Sequence, residues 1–373
     1  MTKKTVLVTG SGGFIGKNLL AVLQRRDDLV VTTYEVTDDK EALDPLLRDA
    51  DFIVHLAGVN RPERPEEYEE VNAGLTRYII ASLDRLVRRP RILFASSSQA
   101  ALDNPYGRSK LNAEEALAGY AKSSGAGVVI FRLPNVFGKW CRPDYNSVVA
   151  TFCHRIARGL EISISDAKNE LELVYIDDVV GAFLKALKED LPGGTDGFGT
   201  VAPTYRITLG ELAERLTLFR EMRRTQRLPD FSDGLTRCLY ATYLSHLETG
   251  DFAYRLERKT DDRGSLAELL KSPSGGQFFV SRTKPGVTRG HHYHHTKTEK
   301  FCVLEGEAMI RFRHILGREV LTYPVKGEEF TVVDIPTGYT HSIENVGPGE
   351  LIVLFWASEL FDPGSPDTFS CEV

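Results

Sequence analysis

The sequence predicts an α/β protein in two parts: a doubly wound parallel sheet, then a small all-β barrel or sandwich. Three observations predict it. Strand-like and helix-like runs alternate through the first part, a Gly-rich turn joins the first strand to the first helix, and beyond about 245 the texture changes to short alternating strands. Residues 5–9 form an apolar run ahead of the glycines, and 15–23 carry a helical apolar pattern. Residues 29–34, 52–56, 91–95 and 127–133 repeat the buried-strand look, with helical stretches between them. Such alternation builds a parallel sheet covered on both faces. From 139 to 243 the pattern mixes: a helix near 148–158, a short strand at 171–175, then helices. Strands at 277–282, 301–304, 308–313, 330–334 and 351–355, separated by Gly/Pro turns, complete the second part. The expected domains are 1–243 and 244–373, with the boundary somewhere in 236–255.

Composition narrows the function classes. The chain has 373 residues, 42% hydrophobic and 26% charged, which suits an ordinary globular protein with a normal core. A net charge of −6 and the lack of a long Lys/Arg run argue against a dedicated nucleic-acid binder, which needs a basic face. No apolar stretch approaches the roughly 20 residues that span a bilayer, so no membrane association is expected. Because the opening residues run straight into a strand, no signal peptide is expected and the expected location is cytoplasmic. Cys141, Cys153, Cys238, Cys302 and Cys371 lack CxxC spacing, so neither a disulfide framework nor a Cys-based zinc site is suggested. Histidine is distributed unevenly: seven of nine lie after 244, four of them at 291, 292, 294 and 295.

Gly10-Ser11-Gly12-Gly13-Phe14-Ile15-Gly16 sits where a strand feeds a helix. Glycines there let the backbone approach a pyrophosphate, which the helix N-terminus binds through unpaired N–H groups. On its own such a triad is as well read as a tight turn. The residues that follow give it context: His55-Leu56-Ala57-Gly58 at the end of a flanking strand, Ser96-Ser97-Ser98 after another, and Tyr106 four residues before Lys110. On one helix those two share a face. The ammonium of Lys110 is expected to lower the Tyr106 phenol pKa and to hold a nicotinamide ribose. Tyr106 then gives a proton to a carbonyl oxygen as hydride reaches carbon, while a serine hydroxyl steadies that oxygen.

Residues 1–240 thereby resemble the extended short-chain dehydrogenases that act on nucleotide sugars, which implies a Rossmann-like fold. By that resemblance Ser97 is the catalytic serine, with Ser98 second. Pro134-Asn135 after Arg132 matches the segment that contacts the nicotinamide amide (Pro134) and the sugar nucleotide (Asn135), and Tyr175-Ile176-Asp177-Asp178-Val179 matches a downstream marker. The serine-to-tyrosine gap is short for this family, implying a trimmed lid. After the second strand come Thr37-Asp38-Asp39. An acid there favours a free 2′-hydroxyl, whereas a 2′-phosphate wants an Arg.

In the second part, His292, His294, Glu299 and Gly306 fit the first cupin motif, and Pro336, Gly338, His341 and Asn345 fit the second. Residues i and i+2 of a strand point to one side, so His292 and His294 aim together into a barrel. Three imidazoles and a carboxylate suit Zn²⁺, and also Fe or Mn. His291 and His295 should face away. Asp262-Arg263-Gly264, Glu268 and residues 286–293 are also similar to metal-free deoxysugar 3,5-epimerases. There the histidine matching His292 is the base and the arginine matching Arg263 holds the diphosphate. A coordinated imidazole has no free lone pair to take a proton, so His292 is assigned to metal and the base is left open among Tyr293, Lys297 and Tyr339.

A dehydrogenase followed by such a cupin, together with 141–147, 239–245 and 361–368, closely resembles the CapF family of bifunctional capsular polysaccharide synthesis enzymes almost end to end. The resemblance implies C3 epimerisation of a UDP-4-keto-2-acetamido-2,6-dideoxyhexose by the cupin. C4 reduction with NADPH by the first domain follows, giving UDP-2-acetamido-2,6-dideoxy-L-talose on the route to UDP-N-acetyl-L-fucosamine. It further implies zinc and a homodimer; NAD is left open beside NADP. Two other readings stand beside this one: a cupin that only binds sugar or dimerises the chain, and a dinucleotide-sensing scaffold without turnover.

Overall fold

The structure is a computed structural model that describes residues 3–188 and 197–373. The chain divides into two compact units, residues 1–216 with 237–248, and residues 217–236 with 249–373. A single cut at 243/244 misses the segment 217–236. That segment belongs to the second unit because the Leu228 N–H donates to the Lys271 carbonyl and the Lys271 N–H to the Gln226 carbonyl, both at 2.7 Å. No helix among the described residues is long and apolar enough to cross a membrane.

In the first unit, β1 (Lys4–Thr9), β2 (Leu29–Tyr34), β3 (Phe52–His55), β4 (Arg91–Ser97), β5 (Val128–Leu133) and, later in the chain, Phe198–Gly199 form a parallel sheet. Its order is β2-β1-β3-β4-β5 and then the 198–199 strand. Because the chain turns back at β1, the crevice beyond the carboxyl ends of β1 and β3 is where ligands bind in such sheets. Alternate side chains feed two cores. Val6, Val8, Val54, Leu93 and Phe131 pack on α1 (Phe14–Leu23) and on the Ile176–Lys188 helix. Leu7, Ile53, Ile92, Phe94 and Ile130 face the Leu43–Asp49, Gly74–Arg85 and Pro105–Ser124 helices. Burial on both faces explains the continuous apolar runs of these strands. Two ends of the Pro105–Ser124 helix, which carries Tyr106 and Lys110, are chemically marked. Asn104 accepts the Gly107 N–H at 2.8 Å and Pro105 opens the first turn, while Gly125 closes it at φ 72°.

The second unit is antiparallel throughout its named strands, in a six-stranded and a five-stranded sheet. Both contribute to one core, with Phe301, Val303, Val353 and Phe355 from the larger and Ile310, Phe312, Val325 and Ile343 from the smaller.

The Phe183 ring, fully buried, meets the Phe131 ring edge-on at 4.9 Å. Phe183→Ala is expected to destabilise the first unit by about 3–5 kcal/mol through lost burial and the cavity left behind, read as an earlier urea-unfolding transition.

Candidate functional site

The first candidate site lies at the carboxyl ends of β1, β3 and β4. Gly10, just after β1, has φ +70°, and a Cβ there would stand 2.7 Å from the Ala57 backbone. At Gly16 a Cβ would come within 2.6 Å of Ser11 Cα, so only glycine lets this turn close against α1. Gly13 is the residue before α1, and Phe14 and Ile15 open the helix. Leu56, Ala57 and Gly58 follow β3 beside this turn, the Ala57 N–H reaching Thr9 Oγ1 at 3.3 Å. The structure therefore brings together the glycines and the strand end that the sequence singled out.

Tyr106 and Lys110 lie on one face of their helix. Lys110 Nζ is buried, donates to the Ala95 carbonyl at 3.1 Å, and stands 6.0 Å from the Tyr106 ring centre. Burial pushes its pKa down to about 8, against the opposing influence of Glu114. A Cβ at Gly58 would meet this Nζ at 3.3 Å, so the ammonium lies directly under the 56–58 turn. The Ser97 side chain lies close enough to the Tyr106 hydroxyl to work toward a lower pKa. Contrary to the expected Lys110 effect, the phenol pKa is raised. Burial is the main cause, with Ser97 opposing and Tyr68 adding. Lys110 is turned to the Ala95 carbonyl instead, and a raised phenol is protonated at neutral pH, as a proton donor must be.

Of the serine pair, Ser97 meets Tyr106. Ser98 instead lines a cavity of about 210 Å³ with Arg132, Pro134, Glu172 and Thr200. Asn135 is close by, donating its amide to the Glu172 carbonyl at 3.1 Å. Sequence reasoning missed three contributors. Tyr68 packs edge-on against Tyr106, ring centres 5.7 Å apart. Asn72 braces the strand-end loop, accepting the Val59 N–H at 2.8 Å and donating to Ser109 at 3.0 Å. Both lie on a π-helix, Tyr68–Ala73, a rare form that marks functional segments. The third is Glu35. Its Oε1 accepts the Gly12 N–H at 2.6 Å and the Ser11 hydroxyl, so the acid facing the glycine turn is Glu35 and not Thr37-Asp38-Asp39.

In the second unit His292, His294, Glu299 and His341 offer donor atoms that all lie within 4.8 Å of one another. His292 pairs directly with His341 across the Thr288–Tyr293 and Tyr339–Asn345 strands of the smaller sheet; Glu299 begins Glu299–Glu305 in the larger. A bulge aims the first histidine: register shifts between Gly290 and His292, and His291 takes φ +59°. His291 and His295 lie outside the group, His295 exposed against Phe369. Burial pushes His292 down to about 4, with His341 adding, so its imidazole is neutral. Burial alone would raise the Glu299 carboxyl, but the facing His294 and His341 hold it well below the carboxylate range.

Two buried nitrogens, Nε2 of His294 and of His341, have no hydrogen-bond partner, and Glu299 Oε2 stands 3.5 and 3.4 Å from them, beyond a good hydrogen bond. Orphaned lone pairs facing a carboxylate fit a divalent cation. The other nitrogen of His294, Nδ1, is held by the Asp367 carbonyl at 2.6 Å, which fixes the ring and leaves Nε2 as the donor. Asp367 also accepts the N–H groups of His295, Thr296 and Lys297 at 2.8–3.0 Å.

A cavity of about 300 Å³ opens on this group, lined by His292, His294, Glu299, Lys259, Glu268 and Lys297 among others. Of the three residues left open as base, Lys297 lines it, its ammonium held by Pro366 and Thr368 at 3.2 and 3.0 Å. Tyr293 stacks on Phe369 and Tyr339 meets His314, both outside the lining. Arg263 is likewise outside it, exposed and held by Asp261 at 2.6 and 3.0 Å.

Residues 6–196 match the model of the NAD dependent epimerase/dehydratase family, and 259–369 match a polysaccharide biosynthesis C-terminal domain. A UDP-2-acetamido-2,6-beta-L-arabino-hexul-4-ose reductase of Pseudomonas aeruginosa is 46% identical over 99% of this chain and 98% of its own length. The crystal structure of the capsular polysaccharide assembling protein CapF from Staphylococcus aureus superposes with a TM-score of 0.91 at 45% identity, over 99% of this chain and 100% of that one. A UDP-glucuronic acid 4-epimerase of Bacillus cereus, solved with NAD, shares the fold over 67% of this chain and 100% of its own, with TM-score 0.56 and 20% identity.

His341→Ala is expected to lower bound metal after purification. Elemental analysis checks it, and unchanged content would contradict the ligand set. Asp367→Ala removes no ligand and keeps the backbone carbonyl that meets His294, but it removes the carboxylate that gathers the His295, Thr296 and Lys297 N–H groups. By loosening the segment that orients His294 it should weaken metal affinity about 10-fold or more, measured by competition with a chelator.

Proposed function

The chain belongs to the NAD dependent epimerase/dehydratase family and, end to end, to the CapF family, and from that premise we propose that it is a bifunctional UDP-sugar enzyme of capsular or related polysaccharide precursor synthesis. The second unit acts as a cupin that epimerises C3 of a UDP-4-keto-2-acetamido-2,6-dideoxyhexose, and the first unit reduces the C4 ketone to UDP-2-acetamido-2,6-dideoxy-L-talose. The observation that carries the reductase reading is buried Lys110 on the same helix face as Tyr106, under the 56–58 turn and beside the Gly10–Gly16 turn, with Ser97 acting on the Tyr106 hydroxyl. The name of the Pseudomonas aeruginosa relative, a 4-ketosugar reductase, supports the substrate class.

At that site Ser97 steadies the ketone oxygen and Tyr106, protonated, delivers a proton to it as the carbon receives hydride. A reduced nicotinamide dinucleotide supplies the hydride when bound, with Gly10, Gly13 and Gly16 against its pyrophosphate and Lys110 toward its ribose. The CapF likeness favours NADPH as that donor; the acid at the end of β2 weighs against it. In the cupin, His292, His294, Glu299 and His341 would hold zinc, the metal that three imidazoles and a carboxylate suit and that CapF likeness implies. When bound it polarises a substrate oxygen as a Lewis acid. Asn135 and Arg263 are proposed to meet the sugar nucleotide, and homodimerisation follows from the CapF likeness alone.

Chemistry fixes the order. The C3 proton is acidic only while C4 is a ketone, since the electron pair left at C3 must delocalise into that carbonyl. Reprotonation from the opposite face inverts C3, and reduction then removes the acceptor. Epimerisation therefore precedes reduction.

Tyr106→Phe should lower dinucleotide oxidation with the 4-ketosugar by roughly 10²- to 10⁴-fold, followed by absorbance; an unaffected rate would contradict the donor role. Incubated in D₂O without dinucleotide, the 4-ketosugar should exchange its C3 hydrogen. If NMR shows none, the second unit is a binding or dimerising module and not an epimerase.

A further inference from the structure

We infer that the ribose end of the dinucleotide cleft selects NADH over NADPH through the Glu35 carboxylate, against what the CapF likeness implies. The inference rests on the reading of the first unit as a dinucleotide site. Three observations carry it. Glu35 is the residue after β2 (Leu29–Tyr34) and faces the glycine turn, where the adenine ribose of a dinucleotide lies in doubly wound sheets of this kind. Both of its hydrogen bonds, from the Gly12 N–H and the Ser11 hydroxyl, fall on Oε1, leaving Oε2 to accept from a ribose hydroxyl. A 2′-phosphate brought to the same place would set a doubly charged group against a carboxylate that the glycine turn already fixes.

The residues that follow deepen the negative field instead of relieving it. Asp38 Oδ2 accepts the Glu35 N–H at 2.7 Å, and the Asp38 N–H returns to the Glu35 carbonyl at 3.0 Å. This closed turn keeps a second carboxylate at the end of β2. Between Leu29 and Asp39 the sequence contains no Lys or Arg. The first cation after that stretch, Lys40, lies over the Tyr78 ring at 5.2 Å. An arginine, the group that receives a 2′-phosphate in NADP-binding relatives of this fold, is absent from the strand end and its turn.

The test is equilibrium binding to the full chain, without sugar substrate, by isothermal titration of NADH and of NADPH separately. NADH is expected to bind at least roughly tenfold more tightly, the equivalent of 1.4 kcal/mol. Glu35→Gln keeps the two acceptor contacts but removes the charge, and should narrow the ratio mainly by tightening NADPH. Should that variant fail to fold, Asp38→Arg supplies the missing cation at an exposed position and should raise NADPH affinity. Equal or tighter NADPH binding by the unmodified chain, or a ratio that neither variant moves, overturns the inference while leaving the dinucleotide site in place. Binding of neither dinucleotide overturns the reading of the site itself, and this inference with it.

Discussion

The first unit depends on one buried charge. The Lys110 ammonium sits between the Pro105–Ser124 helix and the end of β4, bonded to the Ala95 carbonyl and lying 5.0 Å over the Phe94 ring. Burying a cation is costly unless its donors are used, and here the contacts that satisfy it also tie the helix to the sheet edge. Gly58 must lack a side chain because this nitrogen and the Asn72 amide oxygen fill the space a Cβ would take. Tyr106, one helical turn earlier, is thereby set beside Ser97 and Tyr68. Such an arrangement keeps the phenol protonated at neutral pH.

A different device serves the second unit. The donors come from both sheets and from a turn, so no single strand could present them. The left-handed His291 supplies the extra residue that swings His292 opposite His341, and the C-terminal stretch around Asp367 fixes the orientation of His294 from some seventy residues away. Phe369–Ser370 pairs with the His292–Tyr293 end of the same strand, so the tail is built into the group's support.

What the sequence made legible was local chemistry. The Tyr106–Lys110 spacing needs only a helix to bring both to one face, and the motif spacing marks His292, His294, Glu299 and His341. The meeting of those four, however, depends on the Gly290–His292 bulge and on His294 lying just past its strand rather than on strand alternation. What it hid depends on where elements end and what lies across space. The sequence places the end of β2 at Tyr34, as the structure does, but not which acid beyond it turns back to the glycines; the bond from the Gly12 N–H assigns that place to Glu35 and not to Thr37-Asp38-Asp39. Ser97 and Ser98 are indistinguishable by composition, and only the strand's alternation turns the first toward Tyr106. Lys110 was expected to act on the phenol through charge, but its ammonium, 6.0 Å from the ring centre, is engaged by the Ala95 carbonyl, and burial raises the phenol instead. Nothing in 217–236 announces that it joins the second unit, since its pairing partner, Lys271, lies more than forty residues on.

The central claim is that one chain inverts C3 and then reduces C4 of the same ketosugar. The most direct measurement is a complete turnover in D₂O with unlabelled reduced dinucleotide, the product read by NMR and mass spectrometry. The account predicts deuterium at C3 with inverted configuration and protium, delivered from the nicotinamide, at C4. A reduced product with its original hydrogen and configuration at C3 would contradict it.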